Sequence, residues 1–214
     1  RAAFLSALDA ILGDDRLMFL PIPSDAATSA DLSALAGTVT HSASVATRVG
    51  SIGTRGVGFT FAPASTQYAT LPDAAGLSFG NGLTDSAFSI VFVGTVTNTA
   101  VSRAILAKWN VVQEWLFYVT TTDRLELALY DQSSGDQPYR TTNAAISMGS
   151  PHVYGVTYSP PGGANPGTGI TFYQDAAVLA STATASAAYV AMEDTAAGVE
   201  IGSINGGTVL YGNG

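Results

Sequence analysis

The chain has no cysteine, a single lysine (Lys108) and two histidines (His41 and His152), and charged residues fill only 11% of its 214 positions. The missing thiols exclude disulfides and thiolate metal sites. Two histidines so far apart in sequence, with no cysteine to join them, also argue against zinc. Basic residues number eight against sixteen acidic ones, giving a formal net charge of −8 and a pI near 4.4. No basic run occurs anywhere, and nucleic acids and anionic membrane surfaces both need clustered cations, so neither is expected as a partner. No apolar run reaches the ~18 residues a membrane-spanning helix requires, so membrane insertion is not expected either.

What is present is apolar and rich in turn formers: 47% hydrophobic residues, 23 glycines and 9 prolines. That is enough for a core, and it argues against disorder over the body of the chain. All-β sandwiches often run ~200–250 residues as one unit, so a single domain over residues 17–214 is expected, led in by residues 1–16.

The densest patterning lies in residues 87–130, AFSIVFVGTVTNTAVSRAILAKWNVVQEWLFYVTTTDRLELALY, where four strand-like runs are separated by turn chemistry. Phe88, Ile90, Phe92 and Val96 share one face, and Val91 and Val93 make the other face apolar, which predicts a strand inside a two-layer sandwich. Trp115, Phe117 and Val119 alternate with Leu116 and Tyr118, and after TTTD the leucines Leu125, Leu127 and Leu129 alternate with Arg124, Glu126 and Ala128. This predicts a hairpin with one wet face, and places Trp115 in the core.

Around that centre, residues 2–12 (AAFLSALDAIL) place Phe4, Leu8, Ile11 and Leu12 on one helical stripe, with Gly13 as a stop. They predict a short amphipathic helix that packs on the sandwich or docks a partner. Residues 17–21 read as an edge strand stopped by prolines, and residues 24–56 as a long excursion with one weak strand near 37–40. Short strands follow at 59–61 and 68–71, then the loop LPDAAGLSFGNGLTDS (71–86). Beyond the centre come the loop DQSSGDQPYR (131–140), strands at 141–146 and 152–159, the loop PPGGANPGTG (160–169), a hairpin of 170–174 with 178–184, and strands at 199–201 and 208–211. About 11–13 short strands at regular spacing predict an antiparallel sandwich.

The order LPDAAGLSFGNG…FSIVFV, AILAKWN…EWLFYV…DRLELALYD, GSPHVYGVTYS, GITFYQDAAVLAS and VEIGSINGG resembles the laminin-G-like, concanavalin A-like jelly-roll domains. The segment LMFLPIPSDAATSADLSALAG resembles that family's opening strand and Asp-Leu-Ser loop, which extends the likeness over residues 17–214. Two departures stand out. Pro151-His152 occupies the place where the family usually has a tryptophan, and the sequence stops short of the strand with which the family usually ends, after Gly-Asn-Gly. The resemblance thus implies a sheet edge left open unless another segment completes it. The alanine- and threonine-rich style is similar to such domains in structural proteins of tailed bacteriophages.

This resemblance implies chemistry to look for. Glycosidases of the fold carry two carboxylates ~5–9.5 Å apart, usually at alternate positions of one strand. Here Glu114, Glu126, Glu193 and Glu200 stand singly, and Asp14-Asp15 and Glu193-Asp194 are adjacent, so no enzyme is expected. The run GSIGTRGVG (50–58) lacks the Gly-Lys-Ser/Thr ending of a phosphate loop and reads as a turn. Members of the resembled family often hold calcium through loop oxygens. Asp73, Asn81 and Asp85 are the candidate ligands, with Asp131 and Asp136 a second group; turn capping is the competing reading. Sugar sites on jelly rolls use aromatic faces with planar polar groups, which singles out Trp109, Asp131, Asp136 and Tyr139, against strand-end packing of the two aromatics.

The expected function is a non-enzymatic structural or attachment module on a larger assembly, of the phage-virion kind, as a head decoration or tail-associated protein. Its partners would be other structural proteins or further copies of itself. The alternative is a carbohydrate-binding domain of a secreted or surface protein that meets a cell-surface glycan. Either way the location is a virion surface or extracellular.

Overall fold

The computed structural model describes residues 28–30, 38–41, 47–49, 58–60, 68–97, 101–163, 165–205 and 209–210. The expected helix over residues 2–12 and the edge strand at 17–21 lie outside these. In chain order the strands are β1 (Thr28–Ala30), β2 (Thr38–His41), β3 (Thr47–Val49), β4 (Gly58–Thr60), β5 (Ala69–Leu71), β6 (Phe88–Thr95), β7 (Arg103–Trp109), β8 (Gln113–Val119) and β9 (Leu125–Leu129). They continue as β10 (Tyr139–Thr142), β11 (Pro151–Tyr158), β12 (Ile170–Gln174), β13 (Ala177–Leu179), β14 (Ser181–Thr184), β15 (Val199–Ile201), β16 (Ser203–Ile204) and β17 (Val209–Leu210).

Among the described residues a nine-stranded sheet runs β1-β2-β5-β15-β7-β8-β9-β10-β14 and a four-stranded sheet runs β13-β12-β11-β6, with β16-β17 and β3-β4 as separate pairs. Neighbours such as β15 between β5 and β7, and β14 beside β10, are far apart in sequence, as a sandwich of crossing connections requires. The core between the two sheets takes Trp115, Phe117, Leu125, Leu127 and Leu129 from one layer and Phe88, Ile90, Tyr154, Val156 and Phe172 from the other. Phe117 stacks on Phe172 across the layers at 6.4 Å, and Trp115 tilts against Phe79 and Phe88 at 5.7 and 6.2 Å. The molecule is therefore an all-β antiparallel sandwich, as the alternation predicts.

Two expectations are corrected by burial. Strand β6 is covered on one face only: Phe88 and Ile90 are core, but Val91 and Val93 are 64% and 52% exposed. Conversely, the β8–β9 hairpin has no wet face. Glu126 and Ala128 are buried along with Leu116, because the outer side of the nine-stranded sheet has a second cluster of Ala104, Ala107, Trp109, Leu116, Ala128 and Ile204. Segment β16 supplies Ile204 and lies along β7, where the Asn205 N–H donates to the Trp109 carbonyl at 3.0 Å. The strand expected at 141–146 begins earlier, at Tyr139. The one expected at 178–184 divides, with β13 completing a hairpin with β12 and β14 crossing to pair with β10.

Turn chemistry fixes the registers. In the β12–β13 turn both central residues, Asp175 and Ala176, have positive φ (50° and 69°), which suits the twist of a two-residue hairpin. Between β8 and β9 the Thr120 N–H donates to the Arg124 carbonyl and Asp123 takes the left-handed conformation.

Candidate functional site

The pairing register places a set of side chains on the outer face of the nine-stranded sheet. One row across the strands reads Glu200, Ala107, Leu116, Ala128, Tyr139; the next reads Ala104, Tyr118, Glu126, Thr141. Glu126 sits between β8 and β10 and accepts hydrogen bonds from the Tyr118 hydroxyl and, at 2.5 Å, from the Thr141 hydroxyl. Glu200 accepts from the Ser203 hydroxyl at 2.5 Å and from the Asn110 amide at 3.4 Å. The Trp109 ring stands edge-on to Tyr130 at 5.4 Å, and Tyr118, Tyr130 and Tyr139 are half-buried against the same cluster. The result is a sheet face with four aromatic rings in one cluster, Trp109 and Tyr130 at one end and Tyr118 at the other beside a carboxylate held by hydroxyls.

Of the residues expected to meet a glycan, Trp109 and Tyr139 do come together here, in one apolar cluster. Trp109 is only 7% exposed, so its indole serves mainly as packing for Tyr130, and the half-buried tyrosines offer the accessible edges. Asp131 and Asp136 face each other in the loop that leads from Tyr130 to Tyr139, forming a short bridge. Asp131 accepts from the Ser133 N–H and hydroxyl, the Ser134 N–H and the Val190 N–H, all between 2.8 and 3.1 Å. Burial acts to raise its pKa, but these donors prevail and hold the carboxyl below its usual value. Asp136 accepts from the Ser186 hydroxyl, and Glu193 from the Gln132 and Ser133 N–H groups. The loop is thereby tied to residues 186–193.

The candidate calcium ligands have separate protein partners. Asp73 lies 2.9 Å from the Lys108 ammonium. The Asn81 side-chain oxygen caps its own turn through the N–H groups of Leu83 and Thr84. Asp85 accepts from the hydroxyls of Tyr158 and Tyr189 at 2.6 and 2.7 Å and from the Met192 N–H at 2.8 Å. Burial first, and then Asp85 beside them, push both tyrosine pKa values up, so the hydroxyls stay protonated donors. Among the described residues no group of three or more His, Asp or Glu side chains is arranged to hold a metal ion.

His152 sits at the start of β11, with Ser150 Oγ 3.0 Å from Nε2 and Asp175 Oδ2 2.6 Å from Nδ1. The order is that of a hydrolase triad, but Asp175 is 52% exposed and also accepts from the Val153 N–H, so it pins the β12–β13 turn to β11. A groove of about 220 Å³ lies at the loop end beside Leu83, Asp85, Tyr158 and Val190, away from this trio.

No family model and no curated protein matches the sequence. Solved structures do. The binding domain of Paraclostridial Mosquitocidal Protein 1 superposes with a TM-score of 0.64 at 15% identity, over 94% of this chain and 45% of that one. Botulinum neurotoxin type C, a protein that interacts with two ganglioside molecules, gives 0.60 at 10% identity over 90% of this chain and 43% of that one. The receptor binding domain of botulinum neurotoxin D gives 0.60 at 12% identity over 88% and 44%. These likenesses establish the fold. The chain spans less than half the length of each of these proteins.

Residues Tyr118, Glu126 and Glu200 are missing from the site that the sequence suggests. Glu126 alternates with leucines in LELAL, the usual sign of a solvated face, and only the cross-strand partners Tyr118 and Thr141 reveal its role. The register also bears on catalysis. Glu126 and Glu200 share a face with their backbones three strand spacings apart, ~14 Å, and each carboxylate accepts from hydroxyls of its own neighbours.

Proposed function

We propose that this chain is a non-enzymatic binding module that recognises carbohydrate on the outer face of its nine-stranded sheet. The observation that carries the reading is the row of Trp109, Tyr130, Tyr139 and Tyr118 along one apolar cluster of the sheet face, ending at Glu126, a hydroxyl-bonded carboxylate. Aromatic faces pack on the apolar side of a sugar ring, and a carboxylate accepts from sugar hydroxyls. Support comes from the similarity in fold to toxin binding domains, one of them from a protein that interacts with gangliosides. The module works at an extracellular or virion surface.

The test is a glycan array followed by calorimetry on the best hit, with Tyr118→Ala, Tyr139→Ala and Glu126→Gln. Loss of about tenfold or more in affinity is expected for each, with the unfolding midpoint monitored in parallel. Binding should persist in chelator, since Asp73, Asn81 and Asp85 already accept protein donors. No retention of any neutral or sialylated glycan would sink the reading.

A second reading, favoured by a specific observation, is a structural module of a larger assembly such as a phage particle, built in beside other structural proteins or copies of itself. The exposed apolar side of the four-stranded sheet, with Val91, Val93 and Val153, is the surface it would use. Recovery of the chain as a stoichiometric component of purified particles would support it, and a free monomer in the native source would end it.

A further inference from the structure

The only lysine of the chain is fully buried. Lys108 comes from β7, on the side of the strand opposite Trp109, and its Nζ touches Glu114 Oε1, lies 2.9 Å from Asp73 Oδ1 and is 2.7 Å from the Thr195 carbonyl. Glu114 is itself fully buried, and its Oε2 has no hydrogen-bond partner. Its other oxygen also accepts from the Thr195 N–H and hydroxyl and from Ser78. A primary amine is thus held against an aspartyl carboxyl, with a buried glutamate on the same nitrogen, in a chain that has no cysteine with which to staple itself.

We propose that Lys108 and Asp73 condense into an intramolecular amide, with Glu114 as the catalytic residue that moves the proton. Lys108 reacts as the neutral amine and Asp73 as the free acid, the pair formed when a proton passes from the ammonium to the carboxylate it contacts at 2.9 Å. The Lys108 nitrogen lone pair attacks Cγ of Asp73 in the acid form. Glu114 takes the proton from nitrogen and hands it to the departing hydroxyl. One C–N bond forms, one C–O bond breaks and one water leaves, so no oxidant or reductant is needed. Burial raises the Glu114 pKa despite the opposing hydrogen bond from Lys108, which brings the carboxyl towards the range where it can both accept and return a proton. Holding the two reactants in contact supplies an effective concentration of ~10⁵–10⁸ M, which offsets the bias of bulk water towards hydrolysis. The product is a staple from the β5 exit to β7, across the intervening β15, with the new amide N–H pointing at the Thr195 carbonyl.

Intact mass spectrometry of the full chain, with peptide mapping, tests this directly. The expected mass is one water below that of the sequence. Trypsin should not cut after Lys108, a linked peptide pair should contain residues 73 and 108, and Lys108 should resist amine reagents in denaturant. Asp73→Ala and Glu114→Gln should each restore the full mass and a reactive lysine, and Asp73→Asn should give the same linked pair by loss of ammonia. A wild-type chain of full mass whose Lys108 is labelled after denaturation would overturn the proposal and leave an ion-paired cluster. So would a lost water mapped to any other peptide. Both readouts come from the wild-type chain, so a variant that fails to fold does not blunt the test.

Discussion

Asp131 shows how much one side chain carries at the loop end of the sandwich. It is 1% exposed, and its two oxygens collect three N–H groups and a hydroxyl from Ser133, Ser134 and Val190. Removing the carboxylate takes the protein partner from four part-buried donors, a loss of about 1–3 kcal/mol. Asp131→Ala is therefore expected to lower the unfolding free energy from urea titration by that amount and to free residues 186–193 in hydrogen exchange. The same contacts set a pH dependence. Burial alone would raise the pKa, but the hydrogen bonds leave it lowered in the folded state. A lowered carboxyl contributes its stabilisation fully above its unfolded value of about 3.9 and loses it as the pH falls through the folded value. Stability measured from pH 6 downward should hold until about pH 4 and then decline, and the decline should be shallower in Asp131→Ala. An identical slope in the variant would assign the acid sensitivity to other groups.

Secondary-structure elements here are positioned by close backbone approaches as much as by side chains. A Cβ on Gly80 would run into the carbonyl and Cβ of Met192, whereas a Cβ on Gly155, in the middle of β11, would meet Tyr173 Cβ at 3.6 Å, an ordinary contact. Gly80→Ala is expected to cost about 1–3 kcal/mol by pushing residues 189–192 off the 80–85 turn. Gly155→Ala should be neutral or stabilising by up to about 1 kcal/mol, since glycine weakens a strand interior. Thermal unfolding of the two variants side by side checks the contrast, and equal losses would refute it. The sequence legibility of the elements follows the same division. Alternation and turn residues locate β6, β8, β9, β11 and β12, because those signals are local. Alternation does not say what covers a face: Glu126 looks solvated until β10 and Tyr118 are beside it, and β14 leaves its hairpin only because β10 offers an edge. Of the candidate site, Trp109 and Tyr139 were legible as aromatics near loops, while their shared cluster depends on pairings between distant strands.

At the scale of the whole molecule the two outer faces differ in kind. The nine-stranded sheet packs Trp109 and three half-buried tyrosines into a second cluster, but the four-stranded sheet leaves a row of Val91, Gly155, Tyr173 and Val178 across all its strands, with Val93 beside Val153 in the next. Val91, Val93, Val153 and Val178 are 64%, 52%, 42% and 66% exposed, and the notch at Gly155 opens a groove of about 200 Å³. A contiguous apolar stripe of this type contributes nothing to the core that folds the chain, yet it is the surface water most favours covering. Its removal should therefore separate association from stability. Val91→Thr combined with Val93→Thr is expected to leave the unfolding free energy within about 0.5 kcal/mol of wild type. In sedimentation velocity over a concentration series, the same variant should show less self-association than wild type. A wild-type chain that stays monomeric throughout would remove self-pairing as the use of this face. A variant that unfolds early would mean the stripe is part of the folding core after all, contrary to its exposure.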